Sequence, residues 1–344
     1  MEVAERILDD LRRPLTVADK ELAVHASIGI SRLERGSLAD ADELIRDADA
    51  AMYVAKRDGK GGYRVFAPEM HAGVVARLEL RSDLERALEN DQFELHYQPI
   101  VRLSDGHVAG VEALLRWHHP ERGLVAPLDF IPFTEESGQI IQIGRWALRE
   151  ACLQAVALGR LSAEDEPLYM SVNLSVRQLR HDGVVTDVRD ALAESGLQPG
   201  LLMLEITESM LIEDPNAAIL TLLELRALGV RIAMDDFGTG YSSLSYLSRF
   251  PLDTLKMDRS FLRPDASPDA VDLSSAIVAL GSSLGLQVVA EGIESEEQMD
   301  RLRDLGCGYG QGFYFARPME LSKLCDYLAA QTVPMLAGGG GVLR

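Results

Sequence analysis

Met234-Asp235-Asp236-Phe237-Gly238-Thr239-Gly240-Tyr241 sets two adjacent carboxylates at the end of an apolar, strand-like run and opens directly into a glycine-rich loop. Neighbouring side chains of a strand point to opposite faces, but where the backbone turns at its last residue both acids can reach one cation, or two cations bridged between them. Taken alone, Asp-Asp-x-Gly fits a solvated acidic turn more often than not. The neighbouring strand ends decide between the two.

From Glu112 onward, apolar or β-branched runs alternate with longer segments of helical period, the pattern of a parallel sheet wrapped by helices. Each run stops at a polar residue. Val108 to Trp117 carries Glu112, Leu168 to Leu174 carries Asn173, and Leu202 to Thr207 carries Glu205. Val230 to Asp236 carries the aspartate pair, Thr254 to Asp258 carries Lys256, and Val288 to Ile293 carries Glu291. A final run near Phe313 is preceded by Gln311. Helices are expected over Ile141 to Leu158, Asn216 to Leu228, Asp269 to Leu284 and Glu296 to Leu305. This alternation predicts an α/β fold, a TIM-like (β/α)8 barrel whose site lies at the carboxyl ends of its strands.

These strand ends also carry a family resemblance. Glu112-Ala113-Leu114 with Leu115-Arg116-Trp117, Val172-Asn173-Leu174-Ser175, Glu205-Ile206-Thr207-Glu208, Asp235-Asp236-Phe237-Gly238-Thr239-Gly240, Lys256-Met257-Asp258, Ala290-Glu291-Gly292-Ile293-Glu294 and Gln311-Gly312 resemble, in order, the motif set of the EAL domain. The likeness runs from about Arg77 to Ala330. It implies an EAL-type barrel that hydrolyses cyclic di-GMP to linear pGpG.

The resemblance implies metal ligands at Glu112, Asn173, Glu205, Asp235, Asp236 and Glu291. Such hard oxygen donors suit two Mg2+ or Mn2+ ions, with Ca2+ expected to inhibit, and give no zinc site. The chemical need is plain: an anionic phosphodiester repels hydroxide and has a poor leaving group, and a metal pair lowers the pKa of a water and steadies the transition state. By resemblance Lys256 orients that water, Gln311 lies near it, and Gln98 and Arg116 contact the dinucleotide. Asp235 and Glu291 also count among the catalytic residues, and Asp236 among the substrate contacts. Glu208 fixes the loop after Asp236, and Glu294 supports Glu291. A lysine among carboxylates is normally charged, so an orienting, electrostatic role suits Lys256 better than that of a general base.

The opening segment reads differently. Val3 to Leu11 and Ala39 to Lys56 have helical period, while Leu22 to Ser31 and Tyr63 to Phe66 are strand-like. Ala26-Ser27-Ile28-Gly29-Ile30 and Ala48-Asp49-Ala50-Ala51-Met52-Tyr53-Val54-Ala55-Lys56 resemble the carboxyl-terminal half of the GGDEF diguanylate cyclase domain. The half with the cyclase signature is absent from the sequence, so no cyclase is expected. The expected organisation is a remnant over 1–67, a connecting segment over 68–90 with a helix from Leu78 to Glu89, a barrel over 91–332 and a glycine-rich tail over 333–344.

Of 344 residues, 34 are basic and 54 acidic, a net charge of −20 that repels DNA, RNA and acidic membrane surfaces. A small cyclic phosphodiester still binds where metal reverses the local field. Cys152, Cys307 and Cys325 are far apart and lack metal or redox spacing. No apolar run reaches the roughly 20 residues that cross a bilayer. The expectation is a cytoplasmic protein, tethered to a membrane only through domains outside this sequence, and by resemblance a homodimer. Asp236-Phe237-Gly238 lacks the rest of a kinase, Gly59-Lys60-Gly61-Gly62 lacks P-loop spacing, and His118-His119-Pro120 reads as a polar loop. The alternative to an enzyme is a barrel that binds cyclic di-GMP as a receptor without turnover; its mark would be a missing ligand, and none is missing here.

Overall fold

The computed structural model of the chain describes residues 2–11, 15–17, 20–22, 26–33, 40–57, 62–161, 167–208, 215–238, 247, 249–262 and 268–331. It divides into two compact units, Met1–Arg86 and Ala87–Arg344.

In the first unit, the helix Glu2–Leu11 buries Ala4 and Leu8, one turn apart. Strand β1 (Leu15–Val17) pairs antiparallel with β2 (Lys20–Leu22). Strand β3 (Ile28–Ile30) lies parallel to β4 (Tyr63–Val65), and the crossover that parallel pairing demands is the helix Ala41–Arg57. Asp40 Oδ1 starts that helix by accepting the Glu43 N–H at 2.8 Å. Gly29 is required on β3, because a Cβ there would overlap the Ala48 carbonyl and the Met52 backbone of the helix laid across it. The single strand expected over Leu22 to Ser31 is instead the end of β2 and the separate β3, with 23–25 outside the described residues. The connecting helix also differs, running Glu69–Ala87 rather than from Leu78. Proline is accepted where a helix begins, since the first N–H groups have no partner in the helix, and here Met70 N–H bonds Ala67 across Pro68.

In the second unit, eight strands close a ring: β5 (Phe93–Arg102), β6 (Val108–His119), β8 (Tyr169–Asn173), β9 (Leu202–Thr207), β10 (Arg231–Phe237), β11 (Thr254–Met257), β12 (Gln287–Ala290) and β13 (Tyr309–Gly310). A short outer strand, β7 (Gly123–Val125), hairpins onto the far end of β6. Six of the eight ring contacts are parallel, as expected. The exception is β5, antiparallel to both β6 and β13. A hairpin of five residues, 103–107, cannot carry a parallel crossover, so β5 must run against its neighbour. Long helices expected from periodicity cover the outside, among them Ile140–Leu161, Pro215–Ala227, Pro268–Leu284 and Glu296–Asp304. Among the described residues, no helix is long and apolar enough to cross a membrane.

Two cores result. Outward-facing strand residues and the inner helix faces form a continuous shell that includes Val111, Met170, Leu204, Ile232, Leu255 and Val288. Inside the ring lies a smaller apolar plug of Ile100, Tyr169, Met203, Ala233 and Val289. Gly110 makes room for that plug, since a Cβ there would press into the Tyr169 ring. Strands buried on both faces are why these segments read as nearly continuous apolar runs.

Candidate active site

Alternation along each strand carries the chain from the apolar plug to a polar layer in two residues. Met203 is followed by Glu205, Ala233 by Asp235, Tyr169 by Ser171, and Val289 by Glu291; on the reversed β5, Gln98 precedes Ile100. Lys256 and Gln311 enter the same layer from β11 and from just past β13. Gln98, Glu112, Ser171, Glu205, Lys256 and Gln311 are all buried.

The side chains of this layer are mutually bonded. Lys256 Nζ lies 2.6 Å from Glu205 Oε2, 2.7 Å from Glu291 Oε1, 3.4 Å from Asp235 Oδ1 and 3.5 Å from Glu112 Oε2. Ser171 Oγ donates to the other oxygen of Glu205 at 2.5 Å. Asn173 Nδ2 and Gln311 Nε2 each donate to Glu112, at 2.7 Å. Gln311 Nε2 also reaches Gln98 Oε1 at 2.9 Å, and Gln98 Nε2 holds the Ala316 carbonyl at 3.0 Å. One buried ammonium thus faces four carboxyl groups, of which Glu112 and Glu205 are buried and Asp235 and Glu291 partly so.

That imbalance shows in the proton affinities. Burial alone would raise Glu112, but Lys256, Gln311 and Asn173 hold its carboxyl below the ordinary range. Glu205 goes the other way, well above that range, because burial and the neighbouring Glu112 outweigh Lys256. Burial, with Asp235 and Glu112 close by, also pushes Glu291 up to about 8 against the pull of Lys256. For Lys256 the cost of burial is overcome by the surrounding carboxylates, which hold the ammonium well above its usual value. It is therefore a fixed cation.

Asp235 and Asp236 reach the site through a device that alternation alone would forbid. Between Met234 and Phe237 the register to β11 slips by one residue, a β-bulge, and Asp236 takes a left-handed φ of 54°. The extra residue lets adjacent carboxylates converge instead of pointing apart. Oxygens of Asp235, Asp236 and Glu291 lie within 4.8 Å of one another. Asp235 Oδ1 is buried and accepts no hydrogen bond. A surplus of oxygen donors, one of them met only by the Lys256 ammonium at 3.4 Å, and carboxyls that retain protons for want of positive charge are what a hard divalent cation would complete, so the residues fit such an ion.

The polar layer brings together Gln98, Glu112, Glu205, Asp235, Lys256, Glu291 and Gln311, with Asn173 and Asp236 at its exposed rim. Arg116 lies two turns of alternation beyond Glu112, half-buried, its Nη1 on the Leu115 carbonyl at 2.8 Å. Glu208 Oε2 accepts the Gly238 N–H at 3.2 Å, where the glycine-rich stretch begins; 239–246 lie outside the described residues. Glu294 has an exposed side chain, and Gln298 Oε1 accepts its backbone N–H at 2.7 Å. The run near Phe313 is not the last strand; β13 ends before Gln311, and Phe313 is exposed. His118 and His119 are not a loop but the end of β6, paired with β7. Sequence reasoning missed Ser171, although its place midway between Tyr169 and Asn173 put it on the inner face.

Residues 81–318 match the EAL domain family, and residues 1–62 match the diguanylate cyclase GGDEF domain. The bifunctional diguanylate cyclase/cyclic di-GMP phosphodiesterase MucR of Pseudomonas aeruginosa is 45% identical over 328 residues, 95% of this chain and 47% of that protein. Cyclic di-GMP phosphodiesterase PdeR of Escherichia coli is 42% identical over 319 residues, 92% of this chain and 47% of that one. The chain spans about half the length of these relatives. A solved structure of PaMucR phosphodiesterase in complex with c-di-GMP superposes with a TM-score of 0.68 at 47% identity, covering 72% of this chain and 99% of the other. With the closed barrel, the ordered motifs and this match over 81–318, the chain belongs to the EAL domain family.

Proposed function

We propose that the chain is a cyclic di-GMP phosphodiesterase that releases linear pGpG. The observation that carries this reading is the buried layer in which one ammonium faces four carboxyl groups while Asp235 Oδ1 is left without a hydrogen bond. Glu112, Asn173, Glu205, Asp235, Asp236 and Glu291 would hold two Mg2+ or Mn2+ ions, whose chemistry is to acidify a water and neutralise charge developing on the phosphoryl oxygens.

The remaining steps belong to the side chains. Lys256, fixed as a cation, holds no vacancy for a proton, so it positions the water and steadies negative charge rather than acting as a base. Gln311, bonded to Glu112 and to Gln98, sets the orientation of that carboxylate, and the two glutamines offer amide groups toward the dinucleotide. Arg116 supplies a guanidinium for a phosphate oxygen. Glu208 anchors the start of the loop after Asp236. The same reading divides the chain into a GGDEF-like segment over 1–67, a connector over 68–90, the barrel over 91–332 and a tail over 333–344, and takes it as a cytoplasmic homodimer. Ca2+, larger and less strict in geometry, inhibits.

Incubation of the purified chain with cyclic di-GMP and Mn2+, followed by nucleotide chromatography, tests the reading. Accumulation of pGpG supports it; binding of intact dinucleotide without turnover makes the chain a receptor.

A further inference from the structure

Above the polar layer, the β5–β6 wall carries a second constellation. On β5, Gln98, His96 and Glu94 share one face, as do Glu112, Leu114, Arg116 and His118 on β6. The register sets Gln98 opposite Glu112, His96 opposite Leu114, and Glu94 opposite Arg116. The face that carries Glu112 into the barrel therefore continues past the strand ends as a wall, with Glu94 four residues, about 13 Å, beyond Gln98. Its reverse side is sealed by buried Trp117, Phe93 and Phe130.

Glu94 is held in an unusual way for an open strand face. Its Oε1 lies 2.7 Å from His96 Nε2 and 2.7 Å from His118 Nε2. An ionised carboxylate only accepts, so both imidazoles donate to the same oxygen. Oε2 takes no hydrogen bond among the described residues, and the side chain is 35% exposed. Two donors on one oxygen lock the carboxylate plane and leave the other oxygen presented. The Arg116 guanidinium, opposite in register, feels the charge of Glu94 after that of Glu112.

We propose that Glu94, fixed by His96 and His118 and flanked by Arg116, reads one guanine edge of the cyclic dinucleotide and so sets the base specificity of the barrel. This deepens the phosphodiesterase reading and rests on it. The chemistry is complementary: the N1–H and exocyclic amino group of guanine are adjacent donors for a carboxylate. Adenine would turn its N1 lone pair toward Glu94, leaving a desolvated charge unpaired, which is how a site rejects the wrong base. The wall rises from the layer where the scissile phosphate would lie, a placement suited to a base still joined to that phosphate.

Steady-state kinetics with Mn2+ on cyclic di-GMP and on its hypoxanthine analogue, which lacks the exocyclic amino groups, test this. Wild type should prefer the guanine dinucleotide, and Glu94→Ala should raise KM for it about 10- to 100-fold with little change in kcat, bringing the guanine-to-hypoxanthine ratio toward one. His118→Ala, at a side chain 57% exposed, should move the same ratio a few-fold in the same direction. It keeps the test open if Glu94→Ala fails to fold. Wild type that hydrolyses cyclic di-GMP while the folded variants keep its KM and base preference would reduce the cluster to a surface network. Wild type that neither binds nor hydrolyses cyclic di-GMP would remove the phosphodiesterase reading, and this subsite with it.

Discussion

Two layers inside one barrel lie two residues apart on five of its eight strands, and they do opposite things. The lower layer, Ile100, Tyr169, Met203, Ala233 and Val289, excludes water and gains stability from close packing. The upper layer, Gln98, Ser171, Glu205, Asp235 and Glu291 with Glu112, Lys256 and Gln311, buries charge that the fold alone leaves out of balance. The backbone is the same in both. What separates a plug from a site is the identity of alternate residues and, at one strand, a bulge.

Substitutions that leave the fold but disturb the upper layer should break this contrast most. Asp235→Asn keeps the shape and removes a charge, and should cut turnover at least about 10³-fold, given the several kcal/mol that metal-borne charge stabilisation supplies. Wild-type turnover in that variant would remove the metal assignment. Lys256→Met should do two separable things. Without its ammonium the metal-free protein holds unpaired buried carboxylates and should lose about 3–5 kcal/mol of stability by denaturant melt, much of it restored by Mn2+. Turnover should fall far more than dinucleotide affinity. An unaltered melt would mean the ammonium does not balance the layer.

The lower layer should behave in reverse. Met203→Ala opens a cavity beneath the site and should cost about 2–5 kcal/mol, with kcat close to wild type under conditions where the variant is folded. A large loss of kcat with an unchanged melt would show that the two layers are not separable in function.

A smaller, pH-dependent effect sharpens the same comparison. Glu205 and Glu291 have carboxyls raised by burial, so in the metal-free protein their protonated forms are the stable ones. Stability then falls as pH rises from the ordinary carboxyl range through about 8, where Glu291 loses its proton. Ions that replace those protons should bind more tightly as pH rises across that window and release protons on binding, measurable by calorimetry in buffers of different ionisation enthalpy. Affinity independent of pH would contradict it.

Much of this architecture is legible before folding because parallel strands buried on both faces leave compact apolar runs with clear ends. Leu202 to Thr207 matches its strand residue for residue, and the polar residues at such ends fall in one layer. Four features were not legible, each for a physical reason. Strand β5 contains Pro99, which lacks the ladder N–H and argues against a strand, yet it sits within the β5–β6 pairing opposite Val111. Strand β13 is two residues in a glycine-rich stretch, with its pairing set by its neighbours rather than by propensity. The bulge at Asp235 and Asp236 depends on a left-handed aspartate, a conformation no periodicity reveals. The Glu94 cluster escaped because its partners come from two antiparallel strands, twenty-four residues apart in the case of His118, and met only through the register.

The central claim is that the upper layer is built to be completed by two divalent cations. Titration of the metal-free chain with Mn2+, following free ion by electron paramagnetic resonance, tests it most directly. The account predicts saturation at two ions per chain in wild type and fewer in Asp235→Asn. A wild-type chain that binds no Mn2+, or an Asp235→Asn chain that still binds two with wild-type affinity, would contradict it.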